Sequence, residues 1–263
     1  MPPQLPPLDL LLPLDRAGEP VPVVDGEPVL LDLYAHPAPR PGRTSVVRAN
    51  MISTLDGAAQ GPDGRSRSIN GPADWRAFRV QRSVADVVLV GAGTARAEGY
   101  GPVSVPADLR AARADRGQRA DLELAVVTRT GDLPDSLRGG DRPPLVVTSA
   151  ACPALADLRA ELGADRVLVA GDTDVDLTTA LALLAERGLT RVLAEGGPRL
   201  LTDLLRAALV DELCLTTSPL LVGGAAVRPA HAAQWFDPPL SASPAHLLHS
   251  NGTLLGRWLV ADA

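Results

Sequence analysis

The 263-residue sequence contains no lysine; all 25 of its basic side chains are arginine. That absence excludes a Schiff-base lysine, pyridoxal-phosphate chemistry of the usual kind, and a P-loop, whose lysine reaches the nucleotide phosphates. Cysteine is scarce too. Cys152 and Cys214 stand far apart and outside any C-x-x-C pattern, which argues against a structural zinc site or a disulfide framework. Their apolar neighbours predict buried free thiols. The four histidines, at 36, 231, 246 and 249, lack metal-ligand spacing, so no metal is expected, and no Ser/His/Asp nucleophile arrangement can be traced. Long apolar runs are missing as well. The opening "MPPQLPPLDLLLPLD" has no basic start and its leucines are interrupted by proline, so it reads as neither a signal peptide nor a membrane span. A cytoplasmic protein is expected, with no membrane partner. The net charge of -6 leaves no basic excess for a nucleic-acid surface.

What is present is an ordinary globular composition, 46% hydrophobic and 21% charged, enough for one large domain. Residues 1–43 form a proline-rich N-terminal arm ending in the linker "HPAPRPGR" (36–43), with a short helix expected near Leu8 to Leu14. Residues 44–263 form the main domain. There, β-prone runs recur at 45–52, 86–91, 122–128, 144–149, 166–171 and 190–196, with helix-like stretches between most of them. "TDVDLTTALALLAERG" is the clearest helix, with a polar start and Gly188 as its stop. The alternation predicts an α/β fold, a mostly parallel central sheet flanked by helices. Toward the C-terminus "DELCLTTSPLLVGG" reads as a further strand, and Asn251-Gly252 between two apolar segments predicts an antiparallel hairpin. The Ala/Arg/Asp-rich stretch 106–121 reads as an exposed helix or loop.

Three glycine-bearing turns each follow a strand run: "VGAGT" (90–94), "TRTGD" (128–132) and "EGGPRLL" (195–201). In an open parallel sheet such turns gather at the carboxyl ends of the strands, where ligands bind. Glycine lets a phosphate approach backbone N–H groups at a helix start, and Pro198 suits the first helical position. None of the turns is G-x-G-x-x-G, so the dinucleotide-binding Rossmann fingerprint is absent. Arg129, just past a strand end, is either a solvated arginine or a reader of a ribose 2′-phosphate, which would favour NADPH. Three carboxylates, Asp56 in "STLDG", Glu98 in "AEGYGP" and Glu195, also fall at or beyond strand ends. Gathered in a cleft they could hold substrate hydroxyls or relay protons. If a helix begins at Pro72, then Trp75, Phe78 and Arg82 share a face, and Arg82 needs a partner there: Asp86 or a bound anion.

The order "STLDG", then "SINGPADWRAFRVQRSVADVVLVGAGTARAEGYGP", then "LAEGGPRLLTDLLRAALVDELCLTTSPLLVGG" resembles the riboflavin-biosynthesis pyrimidine reductase family, the C-terminal domain of the bacterial deaminase–reductase. The resemblance spans roughly residues 45 to 260 and implies a dihydrofolate reductase-like fold and the reductase half only, since the deaminase motifs H-x-E and P-C-x-x-C are missing. It implies NADPH-dependent reduction of 5-amino-6-(5-phosphoribosylamino)uracil to its ribityl product, with hydride delivered to the ribose C1′ of the ring-opened imine, and a homodimer. Carried over by position, Ser68, Gly91, Gly93, Thr94, Glu98, Thr128, Arg129 and the helix start Gly196, Gly197, Pro198, Arg199, Leu200 and Leu201 fall on the cofactor side. Asn50, Thr54, Ser66, Arg82 and Glu195 fall on the substrate side, and Asp56 and Glu195 are the expected catalytic carboxylates. The chain departs from the family in having Asn50 where many members carry lysine, Thr54 for serine, Glu98 for aspartate, and Val105 where an arginine binds substrate. Two alternatives stay open: reduction of another pyrimidine or a pterin, as in dihydrofolate reductase, and a catalytically silent NADPH-binding protein.

Overall fold

The computed structural model describes residues 4–261. In chain order the elements are β1 (Leu8–Leu12), β2 (Pro20–Val21), α1 (Pro28–Leu33), β3 (Val46–Thr54), α2 (Pro72–Val84), β4 (Val87–Gly91) and α3 (Ala92–Glu98). They continue with α4 (Arg110–Asp115), β5 (Glu123–Val127), β6 (Leu145–Thr148), α5 (Leu155–Leu162), β7 (Val167–Val169) and α6 (Leu177–Ala185). The last are β8 (Arg191–Ala194), α7 (Pro198–Arg206), β9 (Glu212–Ser218), β10 (Ala242–Ser250) and β11 (Thr253–Val260). All the strand runs read from the sequence are present.

One sheet carries every strand, in the order β2-β1-β10-β11-β9-β3-β8-β4-β5-β6-β7. From β9 through β7 the neighbours run parallel; β11, β10, β1 and β2 are antiparallel. This is the dihydrofolate reductase-like arrangement that the resemblance implies. Alternation along the strands feeds two cores. Val88, Val90, Leu124, Val126 and Leu193 face α1, α2, α3 and α5, while Val87, Leu89, Ala125, Val192 and Ala194 face α6 and α7. Both faces are covered, as the unbroken apolar runs of a parallel sheet require. Asp176 caps α6 by accepting from the Thr178 and Thr179 N–H groups. Asn251 and Gly252 both take positive φ (49° and 83°) in the β10–β11 turn, as the Asn-Gly pair predicts. No helix among the described residues is long and apolar enough to cross a membrane.

Two expectations need correction. Leu8–Leu12 is a strand rather than a helix, and it joins the sheet by pairing with β10, burying Leu8 and Leu10. Its apolar-polar alternation is a period-two signal that the flanking prolines obscure. The 106–121 stretch does contain a helix, α4, but it is not simply exposed. Arg113 is fully buried and donates to the carbonyls of Ser83, Ala85, Arg119 and Asp121. With no lysine available, arginine serves as the buried polar hub, because its planar fork can satisfy many acceptors at once. Arg76 on α2 does the same for the N-terminal arm. It grips both oxygens of Glu27 and the carbonyls of Pro6, Val21 and Pro22. Both cysteines are buried free thiols, as expected.

Candidate active site

A cavity of about 760 Å³ opens at the carboxyl ends of β3, β8 and β4, between α2 and the start of α3. The neighbours β3, β8, β4 and β5 bring the three glycine turns to one rim of the sheet. On the strand-tip wall the lining is Gly93, Thr94, Gly197 and Pro198. The Gly91 N–H donates to the Gly196 carbonyl (2.9 Å), which ties the tips of β4 and β8 together. Gly196 has φ +90°, open to glycine at little cost. At Gly197 the reason is space: a Cβ there would sit 2.3 Å from Thr94 Oγ1. Pro198 occupies the first turn of α7, and no side chain caps that helix start, so its leading N–H groups stay available. Close backbone approach and open helix donors are what a pyrophosphate needs.

The opposite wall is the face of α2 that carries Asp74, Phe78 and Arg82 at successive i, i+4 positions, with Trp75 beside them. Trp75 and Phe78 stack at 5.5 Å, and the Arg82 guanidinium lies 4.3 Å from the Phe78 ring centre, so the shared face read from the sequence is present. Arg82's partner is Glu195, not Asp86. Its Nε and Nη2 donate to the two carboxylate oxygens at 2.7 and 2.6 Å. Asp86 is instead taken by Arg191 at the start of β8 (2.9 Å). The strand order explains the choice, because the β8 tip faces α2 across the cleft while Asp86 lies at the far end of β4.

Tyr100 completes the cluster by donating its hydroxyl to Glu195 Oε2 (2.7 Å). Burial, reinforced by the Glu195 charge, pushes the Tyr100 phenol well above its ordinary range. Burial works against the Arg82 charge, but Glu195 and Tyr100 more than offset it, and the guanidinium is held even more firmly protonated. The cluster is therefore a fixed, charge-balanced acceptor. Asn50 also lines the cavity; its Oδ1 accepts from Gln81 Nε2 (2.8 Å), which leaves its amide hydrogens for the cleft. Ser66 and Glu98 meet at the mouth, where the Ser66 N–H donates to Glu98 Oε1 (2.7 Å).

Other sequence-derived candidates lie elsewhere. Thr54 Oγ1 donates to Asp56 Oδ1, and the remaining Asp56 oxygen accepts from the Val222 and Gly223 N–H groups. The Thr54 bond, then those backbone donors, hold that exposed carboxylate below its usual range. Asp56 is thus absorbed by the loop after β9 and is not part of the cavity lining. Ser68 Oγ donates to Asp63 Oδ1 and the Arg65 carbonyl. Leu200 and Leu201 belong to the core, and Arg199 is exposed. Thr128 is buried, with Oγ1 accepting from the Gly131 N–H, and Arg129 is exposed beyond β5 with no ion-pair partner among the described residues.

Three lining residues carry chemistry that the sequence reading passed over. Tyr100 sits in the quoted "AEGYGP", but a loop has no period to mark it. Arg67 is exposed on the cavity with no ion-pair partner among the described residues. Asp74 falls in the first turn of α2, where an acid is ordinarily explained by the helix dipole; its spacing to Phe78 and Arg82 is the signal that could have found it.

Residues 45–238 match the RibD C-terminal domain. The chain is 31% identical over 183 residues to a 2,5-diamino-6-ribosylamino-4(3H)-pyrimidinone 5′-phosphate reductase of Methanothermobacter thermautotrophicus, covering 68% of this chain and 80% of that protein. The protein of the same name from Archaeoglobus fulgidus is 28% identical over 180 residues, covering 68% and 82%. Among solved structures, a pyrimidine reductase-like protein of Corynebacterium diphtheriae superposes with a TM-score of 0.73 at 27% identity, covering 83% of this chain and 93% of that one. The family match takes in the strands and helices that build the cleft, and the chain is a member of the RibD C-terminal domain family, a reductase of the riboflavin pathway.

Proposed function

We propose that the chain reduces a 6-(5-phosphoribosylamino)pyrimidine to its ribitylamino counterpart with NADPH. The ring is either the uracil that the resemblance implies or the 2-amino ring in the names of its relatives. The observation that carries this reading is the pairing of two unlike walls around one cavity, glycine-bearing backbone on one side and a part-buried Arg82–Glu195–Tyr100 cluster on the other. The strand-tip wall fits the cofactor: Gly93, Thr94, Gly197 and Pro198 would hold the pyrophosphate, and the unpaired Arg129 would read a 2′-phosphate. When bound, the cofactor supplies the hydride for C1′ of the open-chain imine; the imine nitrogen takes up a proton. The chain's own part is alignment. Glu195, with its charge balanced and both oxygens fixed, accepts substrate hydroxyls and orients the ribose-derived chain. Arg67 supplies a cation at the rim for the 5′-phosphate, in a sequence that lacks the lysine and arginine of the family pattern.

The test is loss of NADPH absorbance on adding either phosphoribosylaminopyrimidine, with NADH as the comparison. Turnover with NADPH is expected. Arg67→Ala should raise KM about tenfold with kcat little changed, as loss of one charge-assisted contact implies. Arg129→Ala should narrow the NADPH-over-NADH preference by a similar factor. Cofactor binding without turnover on either ring would instead favour the silent NADPH-binding protein.

A further inference from the structure

Gln81 lies two turns beyond Asp74 on the stripe of α2 that faces the sheet, and both are buried. Asp74 accepts from the Thr216 hydroxyl on β9, and Gln81 Nε2 donates to Asn50 Oδ1 on β3 (2.8 Å). Gln81 is 2% exposed, and its other amide atom, Oε1, is buried with no hydrogen-bond partner among the described residues. A buried acceptor left unpaired destabilises the fold, and an apolar side chain of similar shape would avoid that. Gln118, a second buried glutamine with an unpartnered oxygen, still holds the fold together by donating to the Val84 and Ala85 carbonyls and to Asp86. Gln81 has no such role. Its one hydrogen bond among the described side-chain contacts goes to a residue that lines the cavity.

What that bond does follows from the chemistry of Asn50. A carboxamide has a donor end and an acceptor end of nearly equal shape, so it can show a ligand either N–H groups or an oxygen. An ammonium would donate in every direction, but this chain has no lysine. With Oδ1 taken by Gln81, the end left for the cavity is Nδ2, which has no partner among the described residues. Asn50 and Glu195 directly follow Ala49 and Ala194, which pair across β3 and β8. Glu195 carries acceptor atoms alone. Asn50 is therefore the donor beside it, suited to an uncharged oxygen of the ligand, a hydroxyl or a carbonyl.

We propose that Gln81 is a positioning residue for the reaction: it turns the Asn50 carboxamide so that its N–H groups meet a substrate oxygen. This rests on the cavity being the substrate site of a pyrimidine reductase, and it adds the group that sets the direction of one of that site's donors.

The experiment is a double-mutant cycle on initial rates of NADPH oxidation with either phosphoribosylaminopyrimidine. Asn50→Ala and Gln81→Leu should each lower kcat/KM by up to about tenfold, the scale of one neutral hydrogen bond, with KM for NADPH unchanged. Combined, they should lose no more than Asn50→Ala alone, because Gln81 acts only through Asn50. Asn50→Asp still accepts from Gln81 but turns an oxygen to the ligand, so it should be at least as impaired as Asn50→Ala. Thermal unfolding of Gln81→Leu should have a midpoint equal to or above that of the wild type; a glutamine kept for the fold would lower it and leave kcat/KM alone. Wild-type kcat/KM in Gln81→Leu, additive losses in the double variant, or wild-type rates in Asn50→Asp would each overturn the assignment while leaving the reductase intact. Gln81→Met takes the place of the leucine variant if that one does not fold. A readout without turnover comes from labelling the three asparagines, 50, 70 and 251, with nitrogen-15. The side-chain heteronuclear NOE of Asn50 should be that of a rigid amide in the wild type and should fall in Gln81→Leu. It decides the matter if neither pyrimidine is reduced, and an unchanged NOE sinks the assignment.

Discussion

On its β4 and β8 side the cleft meets backbone, in Gly93, Thr94, Gly197 and Pro198; on its α2 side it meets side chains, in Asp74, Phe78 and Arg82. The first wall suits a ligand bearing phosphates, whatever else that ligand carries, because N–H groups and a helix start are generic. The second is particular to a ring and its substituents. On the proposed reading, substitutions on the side-chain wall would retune which substrate enters, and substitutions on the backbone wall would weaken the hold on the reductant.

The largest expected effect lies where the walls meet. Glu195→Ala leaves the Arg82 guanidinium partly buried and unpaired, so stability should fall by about 3–5 kcal/mol. Turnover should drop at least about a hundredfold, as when an oriented polar group is lost from an active site. Thermal unfolding and steady-state rates check both, and rates like the wild type's would remove Glu195 from the site.

Next comes Asp74, which sharpens the contrast through pH. Burial, opposed by the bonds from Thr216 and Asn70, lifts its carboxyl from 3.8 to about 6. The folded chain thus keeps a proton that the unfolded chain would release. The stabilisation this gives is full below about pH 4 and is lost as pH rises through about 6. Thr216 and Asn70 are uncharged, and Tyr34, the other ionisable group that feels Asp74, stays protonated throughout because burial raises it. Asp74→Asn has no such term. Its stability relative to the wild type should therefore climb across that window, by an amount on the order of 3 kcal/mol at most. Denaturant unfolding at several pH values measures it, and a flat difference would mean that the carboxyl is not held as described.

The smallest effect should come from the backbone wall. Gly197→Ala places a methyl against Thr94 Oγ1 and forces that side chain aside. Overpacking of this kind costs about 1–3 kcal/mol. Cofactor affinity should weaken about tenfold or more while affinity for 2,6-diaminopyrimidin-4-one is unchanged. Equal losses for the two ligands in fluorescence titrations would show that the walls are not independent.

Much of this frame was legible because it obeys local rules. Strand runs flanked by glycine, Pro198 opening α7, the Asn251-Gly252 hairpin and the Trp75–Phe78–Arg82 face all follow from spacing alone. The side-chain wall was read less well because its contacts join residues far apart in the chain. Nothing local links Arg82 to Glu195, Tyr100 to Glu195, or Gln81 to Asn50. Asp86 is nearer to Arg82 in sequence, but it immediately precedes β4, at the end away from the cleft, and pairs there with Arg191. Asp56 misled for the opposite reason. Its place beyond a strand end was read correctly, but its oxygens are taken by Thr54 and by the Val222 and Gly223 amides. The strand at Leu8–Leu12 was hidden because its partner, β10, lies at the other extreme of the sequence.

That last pairing bears on how the chain tolerates trimming. The span shared with the family begins at residue 45 and stops at 238, so β1 and β10 both lie outside it and each covers the other's edge. Arg76 projects from α2 into the arm and holds it by five hydrogen bonds, while Asp74 and Phe78 of the same helix look into the cavity. A fragment cut at the shared boundary would bare a sheet rim and strand a guanidinium beneath the helix that shapes the pocket. The arm works as a splint.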